Sequence, residues 1–369
     1  MLIGIGGPVP AAFASSESWP PVQRRTDLLD DAPVIICIPA RNEEAMLPGL
    51  FAAIGQLSID CDALHVCLYL DDCADGSVEL LSQIGPTLPF RLTVAHGGRG
   101  GEPNAGGARR AALAMGLDLL AGREGLLLTT DADSRPHRDW IVAGRRGLRE
   151  AEVVAGRIIR IHGAADAQQC RIEHYYDRLH RYRRAIDPVP WEARDTHHFS
   201  GGANMAIRAS SYRMIGGFVP LPSGEDARLL DDAARGGLRV RRDAAMVVET
   251  SSRRQGRIAG GLAGLLRALD QGEQPVLADP RGAAWQWRGQ ADARRSFAMM
   301  DRSDVRIILG ERLGLTADHL LGVARDCPNA EAFAMRVVPA PPVHAGMVSL
   351  SEAEDILTEL ETRWCDIAA

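Results

Sequence analysis

The chain has no lysine: all 42 of its Lys-or-Arg positions are arginine. Any phosphate or carboxylate bound here therefore meets guanidinium forks or backbone amides, never an ammonium. An excess of basic charge is also missing. The formal net charge of −6 argues against general nucleic-acid binding, which needs a basic face. No apolar run approaches the roughly 18 to 20 residues that span a bilayer, so no transmembrane segment is expected. Residues 1–16 lack a basic stretch and carry Pro8 and Pro10, which argues against a secretory signal. The seven cysteines form no Cys-x-x-Cys pair. Their odd number fits buried thiols in a reducing cytoplasm better than a disulfide framework.

What remains is ordinary globular material: 369 residues, 46% hydrophobic and 24% charged, enough for one large or two ordinary domains. Residues 1–31 are rich in proline and serine and are expected to form a partly disordered arm. Strands are predicted at 33–39, 64–70, 90–95, 125–130 and 153–160. Between them fall helices at about 43–57, with Asn42 as N-cap, and at 77–84, 106–120 and 138–150. Such alternation predicts an α/β fold, a mainly parallel sheet flanked by helices. An amphipathic helix at 166–186, a short strand at 203–208 and a helix opening at Glu225-Asp226 follow. The expected units are the arm, a sheet domain over 32–260 (halves 32–160 and 161–260) and a mostly helical region over 261–369.

The apolar run Leu126-Leu127-Leu128-Thr129-Thr130 ends in Asp131-Ala132-Asp133. Carboxylates at the C-terminal end of a parallel strand lie where open α/β sheets bind ligands. Two hard oxygen donors in one turn suit a divalent cation, Mg²⁺ or Mn²⁺, of the kind usually kept for phosphates. Asn42-Glu43-Glu44 and Asp71-Asp72-Cys73-Ala74-Asp75 follow two other predicted strands. All three turns should therefore converge on one rim. Gly106, Gly107 and Arg109 open a helix near the same rim, as backbone amides and a guanidinium that could contact phosphate. Ser223-Gly224-Glu225-Asp226 places acids at a helix start, where they also serve as ordinary caps.

In order and spacing these pieces resemble family 2 glycosyltransferases of the GT-A fold. The resemblance is carried by Ile38-Pro39-Ala40-Arg41-Asn42-Glu43-Glu44, Asp71-Asp72-Cys73-Ala74-Asp75-Gly76-Ser77, Asp131-Ala132-Asp133-Ser134, Gly201-Gly202-Ala203-Asn204, Gly216-Gly217-Phe218 and Gly224-Glu225-Asp226. It spans roughly residues 32–260. It implies that Pro39, Ala40, Arg41, Glu43 and Asp71 hold the nucleotide, that Asp133 with Asp131 holds the metal, and that Asp131 also meets the ribose. Asp226 would be the catalytic base with Glu225 beside it, and Gly202 to Asn204 would line the sugar and acceptor pocket. Arg254 and Arg257 are candidates to grip the diphosphate. The second turn departs from the commoner Asp-Asp-Gly-Ser form, and no Gln-x-x-Arg-Trp signature of processive synthases follows.

The function expected is an inverting, metal-dependent transfer of one sugar from a nucleotide-diphosphate donor, UDP-linked by the family's habit, to an acceptor hydroxyl. The acceptor could be a small molecule or a lipid-linked glycan. Two alternatives stay open: a nucleotidyltransferase of similar sheet architecture, and a non-catalytic relative that binds nucleotide. The first usually needs a glycine-rich loop after the first strand, where this chain has Ala40-Arg41-Asn42-Glu43.

Overall fold

A computed structural model describes residue 29 and residues 31–98, 104–161, 167–253, 267–339, 341 and 346–368. Its strands are β1 (Val34–Ala40), β2 (Leu64–Leu70), β3 (Arg91–His96), β4 (Leu126–Thr129), β5 (Ser134–Pro136), β6 (Val153–Ile161), β7 (Met205–Arg208), β8 (Val240–Ser251), β9 (Val276–Ala278) and β10 (Met347–Ser349). The helices of the sheet region are α1 (Leu47–Ile54), α2 (Ser77–Ile84), α3 (Ala105–Leu120), α4 (Trp140–Glu150), α5 (Ala167–Ile186), α6 (Ala209–Met214) and α7 (Glu225–Arg235). Beyond them lie α8 (Pro280–Ser296), α9 (Ser303–Leu313), α10 (Ala317–Asp326), α11 (Ala330–Val337) and α12 (Leu350–Ala368).

Eight strands form one sheet in the order β3-β2-β1-β4-β7-β6-β8-β5. The first four are parallel, as are β6 and β8, while β7 runs antiparallel to both neighbours and β5 antiparallel to β8. The α/β architecture, a mostly parallel sheet with a helical C-terminal region, is thus the one expected. The cause is visible in β1, which is apolar throughout. Val34, Ile36, Ile38 and Ala40 pack with α1 and α4 on one face. Ile35 and Cys37 pack with α3 and α7 on the other. A strand buried on both faces has no polar positions to alternate.

Three details differ from the sequence expectations. The first helix begins at Leu47, with Pro48 in its first turn, and not at residue 43. Proline suits a first helical turn because its missing N–H has no partner to lose there. Asn42 is not its cap: it takes a left-handed φ of 54° and accepts the Ala74 N–H at 2.7 Å. Strand β8 was not foreseen, because Arg241-Arg242-Asp243 hides its alternation and a register shift interrupts its pairing opposite Gly156/Arg157. The third is β5, three residues long, whose polar Ser134-Arg135-Pro136 gives no strand signal.

The C-terminal helices dock on α5. Ile172, Tyr175, Tyr182 and Ile186 of α5 share a core with Ala284 of α8 and with Leu350, Ala353, Ile356, Leu357 and Leu360 of α12. Helices α8 to α11 close a further core around Phe333, Leu309 and Leu320. No helix among the described residues is long and apolar enough to cross a membrane.

Candidate active site

Parallel register sets the site. Ala40 pairs with Leu70 and Cys37 with Thr129, so the loops after β1, β2 and β4 leave the sheet along one edge. The first two are laced together. Asp71 N–H donates to the Ala40 carbonyl at 2.8 Å, Glu43 N–H to Ser77 Oγ at 3.2 Å, Glu44 N–H to Asp75 at 3.0 Å and Gly76 N–H to Glu44 at 2.9 Å. Arg41 closes the rim by donating to Asp71 at 3.2 Å and Asp72 at 3.1 Å. Pro39, Ala40, Arg41, Glu43 and Asp71 are therefore gathered in one place.

Asp133 lies deeper, its side chain only 12% exposed. Burial first, then the neighbouring Asp131 and Glu43 carboxylates, raise its pKa to about 6 against the pull of Arg253. Arg253 binds Glu43 with both terminal nitrogens, at 2.7 and 2.6 Å, and reaches Asp133 at 3.2 Å. A cavity of about 250 Å³ opens here, lined by Met46, Asp133, Arg135, Ile161, Ser251, Ser252 and Arg253. Glu43 and Asp133 meet Arg253, and Asp131 meets Arg109; carboxylates clustered in this way suit a divalent cation. Among the described residues no group of three or more His, Cys, Asp or Glu could hold a metal. One or two carboxylates, with the remaining ligands from phosphate and water, is the coordination Mg²⁺ commonly takes. Asp133 and Asp131 fit that pattern.

Arg109 joins this rim to the catalytic candidates. It is buried and donates to Thr129 Oγ1 at 3.0 Å, the Gly202 carbonyl at 2.9 Å and Asp131 at 2.9 Å, with Glu225 at 3.5 Å. Burial and the neighbouring Asp226 raise the Glu225 pKa against the effect of Arg109. Asp226 receives the Gly202 N–H at 2.9 Å and the Ala227 N–H at 2.8 Å. A Cβ at Gly202 would fall 2.5 Å from the Arg109 guanidinium, so a larger residue there would displace Arg109. One guanidinium thus ties the Asp-x-Asp turn to the Glu-Asp helix start, residues almost a hundred positions apart.

Some expected site residues lie elsewhere. Asn204 is wholly buried. Its amide donates to the Arg157 and Met246 carbonyls at 2.7 and 2.8 Å and accepts the Trp140 indole N–H at 2.7 Å. Gly106 spends its N–H on the Leu221 carbonyl at 3.0 Å, and a Cβ there would meet Val219 O at 2.3 Å. Asn104 caps the same helix by accepting the Gly107 N–H at 2.7 Å. The α3 N-terminus is therefore filled by protein, and its glycines serve close packing. Arg109 faces inward, not toward the open rim. Arg254 and Arg257 lie outside the described residues. Arg253 is the residue that sequence reasoning passed over, although it sits in the same arginine pair as Arg254.

No protein-family profile matches the chain, and no curated protein sequence does. Among solved structures it is similar to S. aureus TarS 1-349 in complex with UDP-GlcNAc, at 14% identity and a TM-score of 0.46, over 83% of this chain and 90% of that one. It is also similar to the mannosyltransferase PcManGT from Pyrobaculum calidifontis in complex with GDP-Man and Mn²⁺, at 15% identity and a TM-score of 0.44, over 90% and 87%.

Proposed function

We propose that the chain is a glycosyltransferase that moves one sugar from a nucleotide-diphosphate donor to an acceptor hydroxyl with inversion. What supports the reading is Arg109, whose guanidinium binds Asp131 and reaches Glu225, the residue beside the proposed base Asp226. In this scheme Arg41, Glu43 and Asp71 hold the nucleotide, and Arg253 lies nearest the diphosphate. Mg²⁺ or Mn²⁺ on Asp133 and Asp131 would neutralise charge on the departing diphosphate. Asp226, steered by the Gly202 N–H, takes the proton of the acceptor hydroxyl as its oxygen attacks the anomeric carbon. The bond to the diphosphate breaks on the opposite face, and no covalent enzyme intermediate forms. Arg109 acts as a positioning residue, fixing the relative places of Asp131 and Glu225.

The placement of Arg253 favours one second reading, in which its guanidinium supplies the positive charge at the diphosphate without a metal. Full nucleotide affinity in excess chelator would select it.

The main reading is tested by Asp226→Asn, assayed across a panel of nucleotide sugars for transfer and for slow donor hydrolysis. The expected result is a loss of about 10²- to 10⁴-fold in kcat with nucleoside-diphosphate binding kept. Turnover at the wild-type rate would remove Asp226 from the mechanism, and no turnover of any donor by the wild type would favour a binding protein.

A further inference from the structure

Away from the sheet rim, a second cavity lies where α5, α7 and β8 meet α8 and α11. Arg183, Arg184, Arg242 and Arg294 border it, together with Glu192, Asp231 and Glu331. The carboxylates are unevenly shared. Arg294 takes both oxygens of Glu331, at 2.6 and 3.2 Å, and also binds Asp187. Glu192 accepts the Arg242 backbone N–H at 2.7 Å and pairs with Arg184 at 3.6 Å. Asp231 stands exposed at the edge.

Two guanidiniums are left over. Among the described residues neither Arg183 nor Arg242 has a side-chain hydrogen bond or an ion pair within 4 Å; Arg183 feels the more distant Asp187 and lies with its Cζ 5.4 Å from the Trp287 ring. The Nε atoms of Arg183, Arg184 and Arg242 are sealed from solvent without a hydrogen-bond acceptor. Burial, then the like charges of Arg184 and Arg242, lower the Arg183 pKa to about 9. Burial also lowers that of Arg242, against the attraction of Glu192. Desolvated cations with unfilled donors are costly, and a small anion meets both deficits at once through charge-assisted hydrogen bonds.

We propose that this junction cavity binds one small oxyanion of the phosphate class between the Arg183 and Arg242 side chains. The cavity leaves about 40 Å³ for the centre of a water-sized atom, room for a tetrahedral anion and too little for a nucleotide. Leu230, Asp231 and Ala234 of α7 line it, and α7 begins with Glu225 and Asp226. The proposal does not depend on the glycosyltransferase reading.

Equilibrium dialysis of the full chain against radiolabelled inorganic phosphate, at constant ionic strength, tests it. The expected result is one phosphate per chain that excess nucleoside diphosphate with Mn²⁺ does not displace. Arg183→Met and Arg242→Met should each weaken binding at least about tenfold, while Arg253→Met at the rim leaves it unchanged. Methionine keeps volume and relieves a buried charge, so these variants should fold. No binding up to about 10 mM phosphate, displacement by the nucleotide, or binding that survives both methionine variants would each overturn the proposal. Phosphate and a small phosphomonoester, glycerol phosphate, share the recognised group. Displacement of the label by the ester shows a phosphomonoester's terminal group as the occupant, and its failure to compete shows the free anion; both outcomes support the site.

Discussion

At the scale of single residues, Asp133 carries the strongest electrostatic signature of the rim. Its carboxyl is raised to about 6 by burial beside Asp131 and Glu43, a cost that a bound cation would reverse. Asp133→Ala is therefore expected to abolish the gain in nucleoside-diphosphate affinity that Mn²⁺ confers, by about tenfold or more. Calorimetry with and without Mn²⁺ reads it, and an unchanged metal response would move the metal elsewhere. His197 makes a different prediction. Burial, then Arg242 and Arg157, lower its pKa from 6.5 to about 3, and neither ring nitrogen has a hydrogen-bond partner among the described residues. Above pH 6.5 both the folded and the unfolded imidazole are neutral. Below it only the unfolded chain takes up the proton, until pH nears 3, so stability should fall across that window by up to about 1.4 kcal/mol per pH unit. Urea unfolding as a function of pH should show this fall, and His197→Leu should reduce its slope by about one proton's share, leaving that of His180, whose pKa burial also lowers. An equal slope in the variant would exclude His197 as the cause.

At the scale of elements, the loops after β1, β2 and β4 were legible in the sequence because each is an apolar run that stops at carboxylates. Parallel pairing then places them together without further information. Asn204 was not legible in the same way. Its place in Gly201-Gly202-Ala203-Asn204 suggested a pocket, while its three partners come from α4, β6 and β8, strand β8 having been unforeseen. Its role is to stitch the sheet where Gly156 leaves no room for a side chain, a Cβ there lying 2.4 Å from the Asn204 amide nitrogen. Asn204→Ala should leave three buried polar groups without partners and destabilise the fold by roughly 3 kcal/mol. Denaturant unfolding measures it. A fully stable variant with a raised KM for the donor would return Asn204 to the pocket. Arg109 shows the same limit: a basic residue at a glycine-rich helix start reads as a phosphate contact, and only long-range packing turned it inward to Asp131 and Glu225.

At the scale of the whole molecule, the order β3-β2-β1-β4 follows from the strand–helix alternation, but the return through β7, β6 and β8 does not. Those pairings join residues up to about a hundred positions apart, and no local pattern fixes them. The docking of α12 on α5 is likewise invisible in the sequence, since each helix shows only that it has an apolar face. In the proposed mechanism the Asp131–Asp133 turn and the α7 start face one mouth. An anomalous difference map of crystals grown with Mn²⁺ and UDP or GDP tests it most directly. The expected result is a single manganese peak within bonding distance of Asp133 or Asp131, with the diphosphate beside Arg253 and open space leading to Asp226. A nucleotide bound away from this rim, or a manganese peak with protein packed between it and Asp226, would contradict it.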